Sequence, residues 1–123
     1  MGSAISIGTT GLTASSKQMD VIGNNLANSN TLGYKAGNTY FASMLNQSLS
    51  SSGALSVGQG VAVSDVATQY TQGSFETTGN ATDLAIDGDG FFLVKDKESA
   101  IYYTRAGNFH INKEGYLVDG NDF

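Results

Sequence analysis

The fold is decided near the start of the chain, where residues 4–30 read AISIGTTGLTASSKQMDVIGNNLANSN. Apolar side chains recur there with heptad spacing, namely Ile5, Leu12, Met19, Ile22 and Leu26. This spacing puts them on one face of a helix and is typical of a helix that lies against another helix. We therefore predict a long coiled-coil-type helix whose buried face is this heptad stripe. An ordinary amphipathic core helix is the alternative.

The predicted helix is intrinsically weak. Gly8, Gly11 and Gly23 interrupt it, and each glycine costs about 1 kcal/mol relative to alanine. Asn24 and Asn25 are also poor helix formers. Such a helix does not stand alone in water, and little in the rest of the chain looks able to cover it. We expect its partners to be other copies, or a part of the protein absent here, with the heptad stripe, Asn24 and Asn25 as assembly residues.

Charge is scarce and unevenly placed. Charged residues make up 14% of the chain, against about 25% in ordinary soluble domains. Of the six basic and 11 acidic residues, only Lys17, Asp20 and Lys35 lie among the first 64. Because a surface that faces water usually carries charge, we expect the first half of the chain to be either disordered or enclosed by other molecules.

The composition also excludes several classes of function. The net charge of -5 and the lack of a Lys/Arg cluster argue against a nucleic-acid partner. Without cysteine, the chain has no disulfide, thiol nucleophile or thiolate metal site. No run of 18 apolar residues is present, so we expect no membrane insertion. The first residues lack a basic region and a continuous apolar core, so we expect no cleaved signal peptide.

The middle of the chain is less regular. Helical spacing of apolar residues at 40–45 allows a short helix or a turn, and residues 46–60 have the Ser/Gly-rich composition of a flexible linker. Residues 61–66 alternate as a strand does, and a second extended stretch covers 69–75.

From residue 83 onward the pattern predicts an antiparallel meander. Strands are expected at 91–94, 101–105, 109–112 and 116–118, with Gly115 supplying the positive φ of the last turn. The predicted core of this β-domain is Leu84, Ile86, Phe91, Leu93, Tyr103, Phe109 and Leu117. The chain stops in a turn that heads toward another strand, so we expect a fragment of a longer polypeptide.

These signals predict an α+β chain of three segments. They are an inner-core helix at 1–32, an extended connector at 33–75, and the N-terminal part of a mostly β domain at 76–123.

No catalytic, cofactor or metal site is predicted, and we expect no enzyme. His110 is the only histidine, and its alternation with apolar neighbours puts it on a solvated strand face without a second base. The cluster Asp83, Asp87 and Asp89 fits Asp-Gly turns better than a calcium loop, because the residues that follow offer no oxygen ligands. Arg105, the only arginine, either bonds turn carbonyls or a neighbour's carboxylate, or is an exposed strand-end charge.

Two sets of residues resemble a known family. Residues 11–35, GLTASSKQMDVIGNNLANSNTLGYK, are similar to the N-terminal signature of bacterial flagellar axial proteins of the rod and hook family. The core of that signature is an Asn-Asn-Leu-Ala-Asn run followed by Thr-x-Gly-aromatic-Lys. Residues 84–94, 103–109 and 115–118 resemble the β-domain opening that hook and distal-rod proteins share. The resemblance covers almost the whole chain, with both motifs in the expected order.

The resemblance implies a structural subunit of a self-assembling tube. Its N-terminal helix would pair with a C-terminal helix of the same subunit. The subunit would be exported unfolded through the flagellar type III apparatus and would keep its N-terminus. Residues 16–25 and 40–44 are more similar to hook subunits than to distal-rod subunits, so the resemblance favours the flagellar hook.

The implied partners are further copies in a helical tubular polymer, the distal rod, hook cap and hook–filament junction proteins, and the export apparatus. The implied location is the hook or basal body of the flagellum, outside the cell after export. A rod subunit is the second interpretation. A third is a polysaccharide-binding β-domain in which four rings form a sugar-stacking platform: Tyr70, Tyr102, Tyr103 and Tyr116.

Overall fold

One helix precedes a series of short antiparallel strands, which confirms the predicted α+β class. The computed structural model describes residues 2–45, 47–48 and 56–123. In chain order the elements are α1 (Gly2–Ala27), β1 (Gly37–Ser43), β2 (Gln47–Ser48), β3 (Ser56–Val57), β4 (Val61–Thr68), β5 (Phe92–Lys95), β6 (Ile101–Thr104), β7 (His110–Ile111) and β8 (Leu117–Val118).

Helix α1 ends at Ala27, five residues before the end of the inner-core helix segment predicted at 1–32. The backbone N–H of Asn28 donates to the Asn24 carbonyl at 3.1 Å, and the Asn28 side-chain amide donates to the same carbonyl at 2.9 Å. Asparagine competes with the helix in this way through its short polar side chain, so the Asn-Ser-Asn run stops α1. Gly33 has a positive φ of 69° and lies in the turn that follows the helix.

Strand β1 replaces the short helix or turn that the spacing at 40–45 allows, so that prediction is wrong. Gly37 pairs with Thr68 and Ser43 pairs with Val61 in an antiparallel ladder with a register shift between Tyr40 and Phe41. Pairing with the valine-rich β4 outweighs the local helical spacing, because strand preference depends mainly on what the strand packs against.

The low-complexity stretch contains a short ladder. Strands β2 and β3 pair antiparallel, with Gln47 opposite Val57, where a flexible linker was predicted. The rest of that prediction, at residues 46 and 49–55, lies outside the described residues. The strand predicted at 61–66 is confirmed as β4, whereas residues 69–75 contain no strand; only Gln69 continues the β1–β4 ladder, by one hydrogen bond to Ala36.

The C-terminal strands form two separate ladders. Strand β5 pairs with β6 and β7 pairs with β8, all antiparallel, so the predicted strands are present but do not form one continuous meander among the described residues. The turn before β8 contains Gly115 at φ 88°, as expected. Ser99, in the turn before β6, also has a positive φ of 68°.

The chain divides into two compact units. One consists of residues 1–28 and 36–69, and the other of residues 29–35 and 70–123. In the first unit α1 packs against β1 and β4. The chain therefore supplies one partner for its own helix, which corrects the expectation that little in the rest of the chain could cover it.

Candidate assembly surface

One side of α1 faces the β1–β4 hairpin. The residues on this side are Thr10, Ala14, Val21 and Asn25, whose spacings of four and seven keep them on one helical face. Ala14 is 5% exposed, the lowest exposure of any apolar side chain in the described part of the chain. Small side chains allow this close packing, because a Cβ added to Gly37 would lie 3.3 Å from the Val21 Cγ1 atom.

The heptad stripe occupies a different side of α1. Its five side chains, Ile5, Leu12, Met19, Ile22 and Leu26, are between 50% and 73% exposed. At 3.6 residues per turn, the mean direction of the stripe lies roughly 145° from that of the hairpin-facing residues. The stripe is therefore an apolar row that stays uncovered while the hairpin holds the helix from nearly the opposite side.

The two predicted assembly asparagines have different surroundings. Asn24 is exposed, and its Oδ1 atom accepts from the Asn28 Nδ2 atom at 3.0 Å. The Asn25 Nδ2 atom donates to the Gly37 carbonyl at 2.8 Å, and its Oδ1 atom accepts from the Gly37 N–H at 2.9 Å. Asn25 thus binds both backbone groups of one strand residue within the same chain.

A second polar contact joins α1 to the hairpin. The Thr10 Oγ1 atom accepts from the Val61 N–H at 3.2 Å and donates to the Ile7 carbonyl at 2.7 Å. Gly60, at φ 100°, precedes this contact, and a Cβ there would overlap the Thr10 hydroxyl. Glycine is therefore needed where β4 begins against the helix.

Predicted core residues of the β-domain occupy different environments. Phe109 is 7% exposed and packs edge-to-face on Phe92 at 5.1 Å, and Ile86 is half-buried. Five others are between 45% and 69% exposed: Leu84, Phe91, Leu93, Tyr103 and Leu117. Val94 and Val118, the next residues along their strands, are buried instead. In β5 and β8 the inward face is therefore the opposite of the one expected, because an all-apolar run does not reveal which face turns inward.

Arg105 is held by the turn that precedes β5. Its Nη1 atom donates to the Ile86 carbonyl at 3.2 Å and its Nη2 atom to the Gly88 carbonyl at 2.5 Å. The Gln72 Oε1 atom lies 3.4 Å from Nη1, and the guanidinium stands 5.5 Å from the centroid of the Phe91 ring. Of the interpretations left open for this arginine, bonding to turn carbonyls is confirmed.

Other polar residues of the second unit serve local structure. Asp83 accepts hydrogen bonds from Thr78 Oγ1 at 2.6 Å and from Asn80 Nδ2 at 3.3 Å. His110 is exposed, and its Nε2 atom is 4.0 Å from an Asp122 oxygen. Across residues 2–45, 47–48 and 56–123, no cluster of histidine and acidic side chains could hold a metal ion. The same residues include no helix with the length and apolarity needed to cross a bilayer.

The hairpin contacts of Asn25 and Thr10 were not foreseen from the sequence. A signal was present, because Thr10, Ala14, Val21 and Asn25 form a second row at heptad-like spacing, on nearly the opposite side of the helix from the apolar one. Because the sequence does not reveal the strand that packs on this row, its small and polar residues are typical of a solvent-facing side of a helix.

Two family models match the chain in order. The model of the flagella basal body rod protein matches residues 5–35, and that of the flagellar hook protein FlgE/F/G D1 domain matches residues 85–123. The first contains most of α1 and the turn after it, and the second contains strands β5 to β8.

Curated hook and rod proteins are similar to nearly the whole chain. It is 38% identical over 122 residues to the flagellar hook protein FlgE of Borreliella burgdorferi, covering 91% of this chain and 27% of that protein. Identity to FlgE of Escherichia coli is 38% over 116 residues, covering 94% and 27%. Identity to the flagellar basal-body rod protein FlgG of Bacillus subtilis is 35% over 126 residues, covering 94% and 47%.

The chain spans about a quarter of the length of these hook relatives and about half that of the rod relative. Hook and rod relatives have similar identities, so similarity alone does not separate the two. With the rod and hook models matched in order, and relatives of both kinds along nearly all of its residues, this chain belongs to the flagellar rod and hook family of structural proteins, which are not enzymes.

Proposed function

We propose that the protein is a structural subunit of the flagellar hook, the flexible tube that transmits motor torque from the rod to the filament. The observation that carries this proposal is the heptad stripe, whose side chains are 50% to 73% exposed. A long exposed apolar row marks a protein interaction site. Heptad spacing favours other helices as its cover, and neighbouring subunits of a tube wall supply them.

The proposed partners and location follow from that role. The subunit forms a helical polymer with its own copies. One end of this polymer contacts the distal rod, and the other end contacts first the hook cap and later the hook–filament junction proteins. It reaches the flagellum through the export apparatus.

A rod subunit is the second candidate, and one observation favours it. The rod protein model matches residues 5–35. Both candidates use the same stripe, so they differ in the form of the polymer and not in how the helix is covered.

Deletion of the encoding gene separates the two candidates. For a hook subunit, we expect electron microscopy to show basal bodies with complete rods and no hook. Rods that stop short would favour the rod subunit and contradict the hook proposal. Polymers assembled from the purified protein give an independent result, with curved tubes expected for a hook and straight tubes for a rod.

The polysaccharide-binding interpretation gains no support from the four tyrosines. The Tyr70 ring meets Phe91 edge-on at 6.2 Å, and the Tyr102 ring stacks on Phe123 at 5.3 Å. Two of the four rings are therefore already engaged with other aromatic side chains. We propose no sugar-binding role.

A further inference from the structure

The contacts from α1 reach backbone groups that point away from the β1–β4 ladder. Ladder bonds run from Gln69 N–H to the Ala36 carbonyl at 2.8 Å and from Met44 N–H to the Gly60 carbonyl at 2.9 Å. These bonds flank the Gly37–Thr68 and Ser43–Val61 pairs. In an antiparallel ladder, the N–H and C=O groups of such pairs point outward. Asn25 and Thr10 therefore bind strand groups that the partner strand cannot reach.

The spacing of the two contacts matches the length of the hairpin. Thr10 and Asn25 are 15 residues apart in α1, which is about 22 Å at the helical rise. The ladder between the Gly37 and Ser43 pairs extends about 20 Å at the strand rise. Moving the hairpin along α1 by one helical turn, about 5.4 Å, would break both contacts at once.

The apolar part of the same interface does not select a position along the helix. Ala14 is the only buried apolar side chain of α1 in the described range. The small side chains on this face form a nearly smooth surface. Apolar burial is non-directional, so it favours contact without choosing a register. Hydrogen bonds are directional, and leaving Gly37 or Val61 without a partner on sliding would be costly.

We propose that Asn25 and Thr10 are positioning residues that fix the register of the β1–β4 hairpin along α1, with Asn25 the stronger of the two. Asn25 bonds both the N–H and the C=O of Gly37, whereas Thr10 accepts one hydrogen bond. Asn25 acts within one chain in this role and is not an assembly residue like the heptad stripe. The proposal holds for a hook or a rod subunit alike.

Asn25→Ala compared with Asn24→Ala tests the proposal in the monomeric chain. Both changes raise helix propensity equally, but only the first removes the Gly37 contacts. We expect amide hydrogen exchange at Gly37 to accelerate about tenfold or more in Asn25→Ala and less than about twofold in Asn24→Ala. The nuclear Overhauser contact between the Val21 methyl and Gly37 Hα protons, which reports the register, should weaken only in Asn25→Ala.

A milder pair keeps the test decisive if Asn25→Ala fails to fold. Thr10→Val and Thr9→Val each remove one hydroxyl bonded to a helix carbonyl, but only Thr10 also bonds Val61. Faster exchange at Val61 is expected in Thr10→Val alone. The proposal is overturned if the two members of either pair give equal exchange rates, or if Asn25→Ala keeps the full Val21–Gly37 contact.

Discussion

Gly107 lies at the most crowded backbone position in the second unit. It is buried, its carbonyl accepts from the Leu84 N–H at 2.9 Å, and a Cβ there would overlap the Leu84 carbonyl oxygen. The added Cβ would collide with backbone atoms of Leu84, so the clash can be removed only by moving a segment of the chain. We predict that Gly107→Ala lowers the free energy of unfolding by about 3 kcal/mol or more, measured by urea unfolding. Gly79→Ala is the control, since a Cβ at Gly79 meets nothing within 4 Å. A loss below about 1 kcal/mol would contradict the geometry.

The second prediction at the scale of a residue concerns the planar guanidinium group of Arg105. Lysine keeps the positive charge but cannot reach the Ile86 and Gly88 carbonyls with a fork, nor lie flat over the Phe91 ring. Arg105→Lys is expected to cost about 1–2 kcal/mol of unfolding free energy, followed by tyrosine fluorescence in urea. Lys97→Arg, at an exposed turn, should change it by less than about 0.5 kcal/mol. Equal effects would show that charge alone matters at Arg105.

Helix α1 gives the clearest prediction at the scale of an element, because one side packs on the hairpin and the other side is exposed. Leu12 is 73% exposed and Ala14 is 5% exposed. We expect Ala14→Asp to lower the free energy of unfolding by about 2 kcal/mol or more, since it buries a carboxylate without a partner. Leu12→Asp should cost less than about 0.5 kcal/mol in the monomer yet abolish assembly. Circular dichroism melts measure the stability of the two variants, and sedimentation measures their assembly. If Leu12→Asp still forms polymers, the stripe is not part of the assembly surface.

The elements also show what the sequence could predict and what it could not. Heptad spacing predicts α1, and alternating valines predict β4, because each pattern is local. Local pattern fails at the run Phe91-Phe92-Leu93-Val94, where both faces are apolar and a one-residue change in phase exchanges inside and outside. It fails again for Asn25, since its partner Gly37 is 12 residues away beyond a turn. Only the fold brings those two residues together.

Across the whole chain, charge is concentrated in one of the two units. Residues 1–28 and 36–69 carry only three charged side chains, Lys17, Asp20 and Asp65, and the Lys17 Nζ atom lies 3.9 Å from an Asp20 carboxylate oxygen. The proposed association through the heptad stripe should therefore have almost no electrostatic component. We predict that raising NaCl from about 0.05 M to about 0.5 M leaves the association constant the same or higher, since salt screens charge pairs but not apolar contacts. Sedimentation velocity measures the association constant. Dissociation at high salt would show that charge pairs dominate the interface.

The nearly opposite faces of α1 have a consequence for the divergence of this family. If the proposed assembly is right, α1 is held on one side by its own hairpin and on the other by neighbouring subunits, so few of its positions are free to change. Thr9, Thr13, Ser16 and Asp20, all exposed and on the side of the helix between the two rows, are such positions. Substitutions accumulated between species should therefore gather at that narrow strip, while the rest of the helix changes slowly even where other parts of the protein vary.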